Sequence, residues 1–385
     1  MKISAVICEY NPFHNGHKYQ IEQIKKENDA VICIMSGDFV QRGDVAVFDK
    51  HERTKAALLS GADLVIMLPA CFSLNTAERF AYGGVSLCES LGVVDNICFG
   101  SECGDIKKLT LAADLLINEP YEVSKKIKEL LDGGMSYPKA RMEAFSGLID
   151  GELLTEPNNI LAIEYIKALK NISSKIKPST IKRYKAGYHD ENPSDEFASA
   201  SAVRDMIFSK EEYLKYIPKN AYEIYSGEST SDIQELDDIL MYKIRTTSPE
   251  EIAKINDVTE GLENRIKSSL QGCYGFDEVV EFVKTKRYTQ TKIRRILLSL
   301  ILGIDKQLSL NAPEYIRVLG MNKKGKEILS KIKKKSSLPI ITKTADYKGF
   351  NTSFDIDILA GDIFTICSKN PKFGCDFQKS PVVVE

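Results

Sequence analysis

Short apolar runs separated by helically spaced stretches organise the first hundred residues of the chain. Ile3 to Cys8, Ala30 to Met35, Asp63 to Leu68 and Val93 to Phe99 read as buried strands, because each is a short, mostly apolar run, the last interrupted by Asp95 and Asn96. Between them, His17 to Lys26, Asp49 to Ser60 and Thr76 to Ser90 repeat apolar residues at the spacing of one helix face. Strand and helix in regular alternation predict a parallel sheet with right-handed crossovers and helices on both faces, an α/β domain.

A further strand is predicted over Thr180 to Lys185, followed by a loop Ala186-Gly187-Tyr188-His189-Asp190 and the segment Phe197 to Arg204. From about Ser229 the pattern is helical, with Ser231 to Thr246, Pro249 to Leu270 and Thr289 to Leu302 as the main stretches. The reading is therefore an α/β domain over residues 1–225 and a mainly α-helical domain over residues 226–385.

Composition narrows the class. The 385 residues are 43% hydrophobic and 28% charged, in the globular range and enough for two domains. With 52 Lys and Arg against 54 Asp and Glu, the formal net charge is -2, so a nucleic-acid surface would have to be local. Nine cysteines without a CxxC pair read as reduced core thiols, and no metal-ligand spacing is present. The first apolar run ends at Glu9, unlike a signal sequence, and no run reaches the length of a membrane helix; a cytoplasmic protein without a membrane partner is expected.

In a parallel sheet, ligands bind beyond the carboxyl ends of the strands, and here those loops are polar. The first reads Glu9-Tyr10-Asn11-Pro12-Phe13-His14-Asn15-Gly16-His17, the second Ser36-Gly37-Asp38-Phe39-Val40-Gln41-Arg42-Gly43, the third Phe99-Gly100-Ser101-Glu102. Two histidines flanking a glycine at a helix start add donors to the free N–H groups and positive end of that helix, as a nucleotide phosphate requires. They could also merely cap the helix. Ser199-Ala200-Ser201-Ala202-Val203-Arg204 opens another helix; hydroxyls there are ordinary caps, but downstream of His14-Asn15-Gly16-His17 they suit a β,γ-phosphate clamp with Arg204.

Those strings, together with PNNILAIEYIKAL at Pro157 to Leu169, IKRYKAGYHD and TKRYTQTKIRR, resemble the bacterial tRNA(Met) cytidine acetate ligase family of the HxGH nucleotidyltransferase-like superfamily over nearly the whole chain. The resemblance implies a Rossmann-like nucleotidyltransferase domain that joins ATP and acetate as acetyl-adenylate. The acetyl group then passes to the wobble cytidine of elongator tRNA(Met), giving N4-acetylcytidine; neither DNA nor a membrane is implied as a partner. Carried over, the ATP-binding loop is Ile7, Cys8, Glu9, Tyr10, Asn11, Pro12, Phe13, His14, Asn15, Gly16, His17, Lys18, Tyr19 and Gln20, with Gly100, Asn159, Arg183, Ser201 and Arg204 as further ATP contacts. Asn158 competes with Asn159 for its role. His14 and His17 are the catalytic candidates, Mg²⁺ is expected with the nucleotide, and the tail from Asp355 to Glu385 matches nothing in the resemblance.

Two basic segments remain. Lys284 to Arg295 mixes cations with Tyr288 and has no acid, which favours RNA contact through Lys286, Arg287, Arg294 and Arg295; the seven lysines of Lys323 to Lys335 read equally well as a solvated face. Asp38, Arg42 and Lys50 sit where they could shape a carboxylate pocket. Two other functions fit parts of the pattern: a nucleotidyltransferase adenylating a small phosphorylated metabolite, for which a large basic helical extension has no use, and a non-catalytic RNA-binding protein, for which the intact His, Gly, Ser and Arg set has none.

Overall fold

In the computed structural model, which describes residues 1–183, 197–259, 261–348, 351–368 and 372–385, the apolar blocks become strands. They are β1 (Ile3–Cys8), β2 (Ala30–Ser36), a small antiparallel hairpin of β3 (Phe39–Val40) and β4 (Asp44–Val45), then β5 (Leu64–Leu68), β6 (Asn96–Ser101) and β7 (Lys177–Lys182). β7 begins earlier than the predicted Thr180; as an edge strand it accommodates Pro178, which lacks a ladder donor. Lys185 and the loop from Ala186 to Asp190 lie outside the described residues.

β8 (Ile316–Met321), β9 (Ile340–Ile341) and β10 (Val382–Val383) join the same sheet, whose order is β10-β8-β5-β2-β1-β6-β7 with β9 against β8. The sheet is thus mostly parallel, with one antiparallel pairing in which Leu64 faces Met321. The region beyond residue 226 is helical for the most part, as the long helices Asp237–Thr246 and Gln290–Leu302 testify, but it also closes one side of the sheet. The expected helix from Pro249 to Leu270 is broken into Pro249–Ile252 and Leu262–Ser268, with Asp257 (φ 66°) and Gly261 (φ 76°) in the left-handed region between them.

Side-chain alternation feeds two cores. Ile32 and Ile34 of β2 point into the layer with Phe80, Val85 and Leu87, while Val31, Cys33 and Met35 meet Ile21, Ile24 and Leu58 on the opposite face. Both faces are therefore covered, which is why the strands read as continuous apolar blocks rather than as alternating ones. The helix Lys323–Lys335 buries Ile328, Leu329 and Ile332 and keeps its lysines outward, so the lysine run is one face of an amphipathic helix. All nine cysteines are unpaired, and six of them are buried.

The parallel strands run outward from β1 in both directions, so the order reverses between β1 and β6. At such a switch point the two flanking crossovers lie on opposite faces and leave a crevice. Here the crevice is widened by the register: β1 is paired with β2 over its whole length, from Ile3 to Cys8, but with β6 at Ser4 and Ala5.

Candidate active site

The cleft that opens there has a volume of about 830 Å³. Its walls include Ile7, Cys8, Glu9, Tyr10, Asn11, His14, His17 and Gln20 from β1, its loop and the helix that follows, Gly100 near the end of β6, Arg183 after β7, and Ser201 and Arg204 from the helix Ala200–Ser209. Residues distant in sequence are thus brought together as expected. Of the remaining candidates, Phe13 is buried beneath the loop and donates its N–H to the Tyr225 hydroxyl (3.3 Å), and Lys18 is half exposed beside Glu22 (3.8 Å). Asn15 donates to the Lys215 carbonyl (2.8 Å), and Tyr19 packs near Phe197; neither these nor Pro12 and Gly16 form the wall itself.

The histidines are fixed by the helix they start. His14 is the N-cap of Asn15–Lys25: its Nδ1 accepts the Gly16 N–H (3.0 Å), and the Nδ1 of His17 accepts the His14 N–H (3.3 Å), a reciprocal capping box. A ring nitrogen that accepts leaves the proton on the other one, so both imidazoles present Nε2–H. His14 Nε2 is buried and has no hydrogen-bond partner among the described residues. The rings stack at 3.7 Å, and a Cβ on Gly16 would stand 2.9 Å from the His14 ring, so a glycine is needed between them. Burial, and secondarily the Arg183 charge, lowers the His14 pKa to about 3; burial also holds His17 well below its ordinary value, aided by His14 and then Arg183. Both are neutral donors at physiological pH.

The neighbouring groups complete the frame. Glu102 accepts the backbone N–H groups of Asn158 (3.2 Å) and Asn159 (2.8 Å), capping the helix Pro157–Asn171 and setting its start on the cleft wall. Asn158 lines the cleft, whereas Asn159 is buried behind it with its oxygen on the Cys103 N–H (3.1 Å). Ser199 caps the helix bearing Ser201 and Arg204, and Arg204 Nη1 donates to the Asn11 carbonyl (2.9 Å), tying the clamp to the histidine loop. Glu9 accepts the Gln41 N–H (2.6 Å), and its pKa is raised by burial despite the Arg204, Arg53 and Arg42 charges.

Some expectations need correcting. Lys50 and Asp38 are not pocket residues: Lys50 is buried between Asp38 (2.5 Å) and Asp376 (2.9 Å), and Asp376 also pairs with Arg317 (2.7 Å), so the carboxyl-terminal tail supplies a buried charge to this network. Arg42 does line the cleft. Arg294 is engaged inside the molecule by Asp277 (2.9 Å), Asp44 (3.4 Å) and the Gly43 carbonyl (3.0 Å), and Arg295 by Asp257 (3.5 Å); neither is free to meet a phosphate on the surface. Gly43 (φ 76°) makes this possible, since a Cβ there would lie 2.6 Å from the Arg295 nitrogen. Lys286 and Arg287 are exposed.

Sequence reasoning missed several participants. Gln290 and Thr291 at the start of the helix Gln290–Leu302, together with Arg294, which the sequence pointed to for tRNA contact rather than for the cleft, bring the helical region to it. Arg53, fully buried, donates to the carbonyls of Phe48 (2.9 Å), Glu9 (2.6 Å), Ser36 (3.2 Å) and Gly37, clasping the carboxyl ends of β1 and β2. No local spacing marks either group. Among the described residues no cluster of three or more His, Cys, Asp or Glu could hold a metal ion, and no helix is long and apolar enough to cross a membrane.

A switch-point crevice with two neutral imidazole donors at a helix start defines a nucleotidyltransferase-type site, and the HIGH Nucleotidyl Transferase family matches residues 1–378. Curated relatives narrow this. A tRNA(Met) cytidine acetate ligase of Thermoanaerobacter sp. (strain X514) is 46% identical over 396 residues, covering 98% of each chain, and that of Acetivibrio thermocellus is 40% identical over 100% of both. A crystal structure of Thermotoga maritima TmcAL bound with alpha-thio ATP superposes with a TM-score of 0.90 at 33% identity, covering 100% of this chain and 99% of that one. The chain belongs to the tRNA(Met) cytidine acetate ligase family.

Proposed function

We propose that the protein activates acetate with ATP and transfers the acetyl group to the N4 amine of the wobble cytidine in elongator tRNA(Met). The observation that carries this is the pair of fixed Nε2–H donors, one of them buried without a partner among the described residues, at the crevice between β1 and β6 in a chain of this family. In the first step an acetate oxygen attacks the α-phosphorus and the pyrophosphate leaves. His14 and His17 donate to the equatorial oxygens as they gain charge, and Ser201 and Arg204 hold the departing pyrophosphate. Because the imidazoles are neutral, they need gain or lose no proton in this step. Mg²⁺ bound with the triphosphate would supply neutralisation of part of its charge, while His14, His17, Ser201 and Arg204 orient the chain of phosphates.

In the second step the cytosine amine attacks the acyl carbon. The C–N bond forms, the acyl–oxygen bond to AMP breaks, and the amine loses a proton. The cytosine must leave its stack and reach the cleft, which Gln290 and Thr291 also border. Lys286 and Arg287, on the surface just before that helix, are suited to tRNA phosphates, while Arg294 positions the β3–β4 hairpin. Mass analysis of nucleosides from elongator tRNA(Met) incubated with the protein, ATP and acetate tests the whole reading: N4-acetylcytidine at the wobble position is expected, and unmodified cytidine there refutes it.

A further inference from the structure

Tyr165 lies two turns into the helix Pro157–Asn171 and is 2% exposed, yet it borders the cleft and its hydroxyl has no hydrogen-bond partner among the described residues. A buried hydroxyl without a partner costs stability that a phenylalanine of the same shape would not. Arg183, Ser201 and Arg204, suited to phosphates, border the same cleft. Around Tyr165 the wall is apolar: Phe99 stands 5.5 Å from its ring, and Phe80, Val40, Leu161 and Ile7 border the same cleft. Phe80 and Val40 come from the elements following β5 and β2. Cys8 and Glu9, at the end of β1, and Cys88 are within electrostatic reach of the hydroxyl; burial keeps the phenol protonated.

We propose that this apolar end of the cleft is the subsite for a short aliphatic carboxylate, with the Tyr165 hydroxyl donating to a carboxylate oxygen and Phe80, Val40 and Leu161 enclosing the alkyl group. The proposal rests on the acetate-activating reading above and names the site of that substrate. A lone donor matches one acceptor oxygen, leaving the other to attack phosphorus. Aliphatic and aromatic walls suit a methyl group and crowd a longer chain.

The test is ATP–pyrophosphate exchange by the full-length protein without tRNA, at varied acetate and varied ATP. Tyr165→Phe should raise the KM for acetate by roughly ten- to a hundredfold, the loss of one hydrogen bond to a charged group, and leave the KM for ATP unchanged. Val40→Ala should raise the ratio of kcat/KM for propionate over acetate by about tenfold, since one methylene is discriminated on that scale. An acetate KM unchanged in Tyr165→Phe, a rise in the ATP KM of equal size, or an unchanged propionate ratio in Val40→Ala overturns the subsite. A wild-type protein with no acetate-dependent exchange overturns the parent reading, and the subsite with it.

Discussion

His14 has two jobs, and they can be separated. Its Nδ1 caps a helix by accepting the Gly16 N–H, while its Nε2–H is a donor with no partner among the described residues. Asparagine is a favourable N-cap and keeps the first job but not the second; alanine keeps neither. His14→Asn should therefore cost little stability, whereas His14→Ala should lose about 1 kcal/mol for the cap, with more for the emptied ring volume. Both should slow acetate-dependent pyrophosphate exchange by about 10²–10³, the usual effect of removing one donor aimed at developing charge. A second readout comes from pH. His14 titrates at 6.5 in the unfolded chain and at about 3 in the folded one, because burial disfavours its cation. As pH falls below 6.5 the unfolded state takes up a proton that the folded state refuses, so stability is lost. From pH 7 to pH 5 this amounts to about 2 kcal/mol for His14. His14→Asn should lack that portion of the acid sensitivity. Urea melts at the two pH values and exchange assays at neutral pH measure both. If His14→Asn exchanges at the wild-type rate, the donor role is wrong; if it melts like His14→Ala at neutral pH, the capping role is wrong.

Arg204→Ala should raise the KM for ATP by roughly ten- to a hundredfold through loss of a charge-assisted contact; an unchanged ATP dependence in exchange kinetics removes Arg204 from the phosphate site. Asp376→Asn leaves Lys50 and Arg317 without their shared carboxylate, and urea melts at neutral pH should register a loss of about 3–5 kcal/mol with the acetate KM unaltered. The Asp376 carboxyl is held down to about 2 by Lys50 and Arg317 against the opposing effect of burial. Its stabilisation is therefore present above the ordinary carboxylate range and fades as pH falls toward 2, a dependence Asp376→Asn should abolish. Replacing Lys286 and Arg287 with glutamine should lower tRNA acetylation, keep exchange intact, and reduce the slope of log affinity against log salt by about 0.7–0.9 per lost contact; a wild-type slope would clear this segment of tRNA contact.

The amino-terminal half was legible because its signals are local. Fully buried parallel strands are written as unbroken apolar blocks, and the capping residues His14, Asp49 and Thr76 stand where helices begin. β8 was not legible: it is six residues long, carries Arg317, and becomes a strand by meeting β5 from a sequence distance of some 250 residues, which no local period records. The same limit explains the cleft. His14, Gly100, Arg183 and Arg204 declare themselves by type and position after a strand or at a helix start. A basic run does not say which of its members turn inward: Arg294 and Arg295 do, against Asp44 and Asp257, while Lys286 and Arg287 do not. Nor does an Asn pair reveal that Glu102 will turn Asn158 to the cleft and leave Asn159 behind it.

The borrowed strands also bear on how the chain is made. During synthesis β5 emerges early, with all five of its residues destined for the interior, while its outer neighbour β8 arrives only after residue 316, and β10, which covers β8 in turn, at Val382. Until then the nascent sheet presents an apolar edge able to pair with another chain. A ribosome stalled before β8 should accordingly yield a sticky, protease-sensitive fragment, and the last strand to be translated is also the one that completes the sheet's far margin.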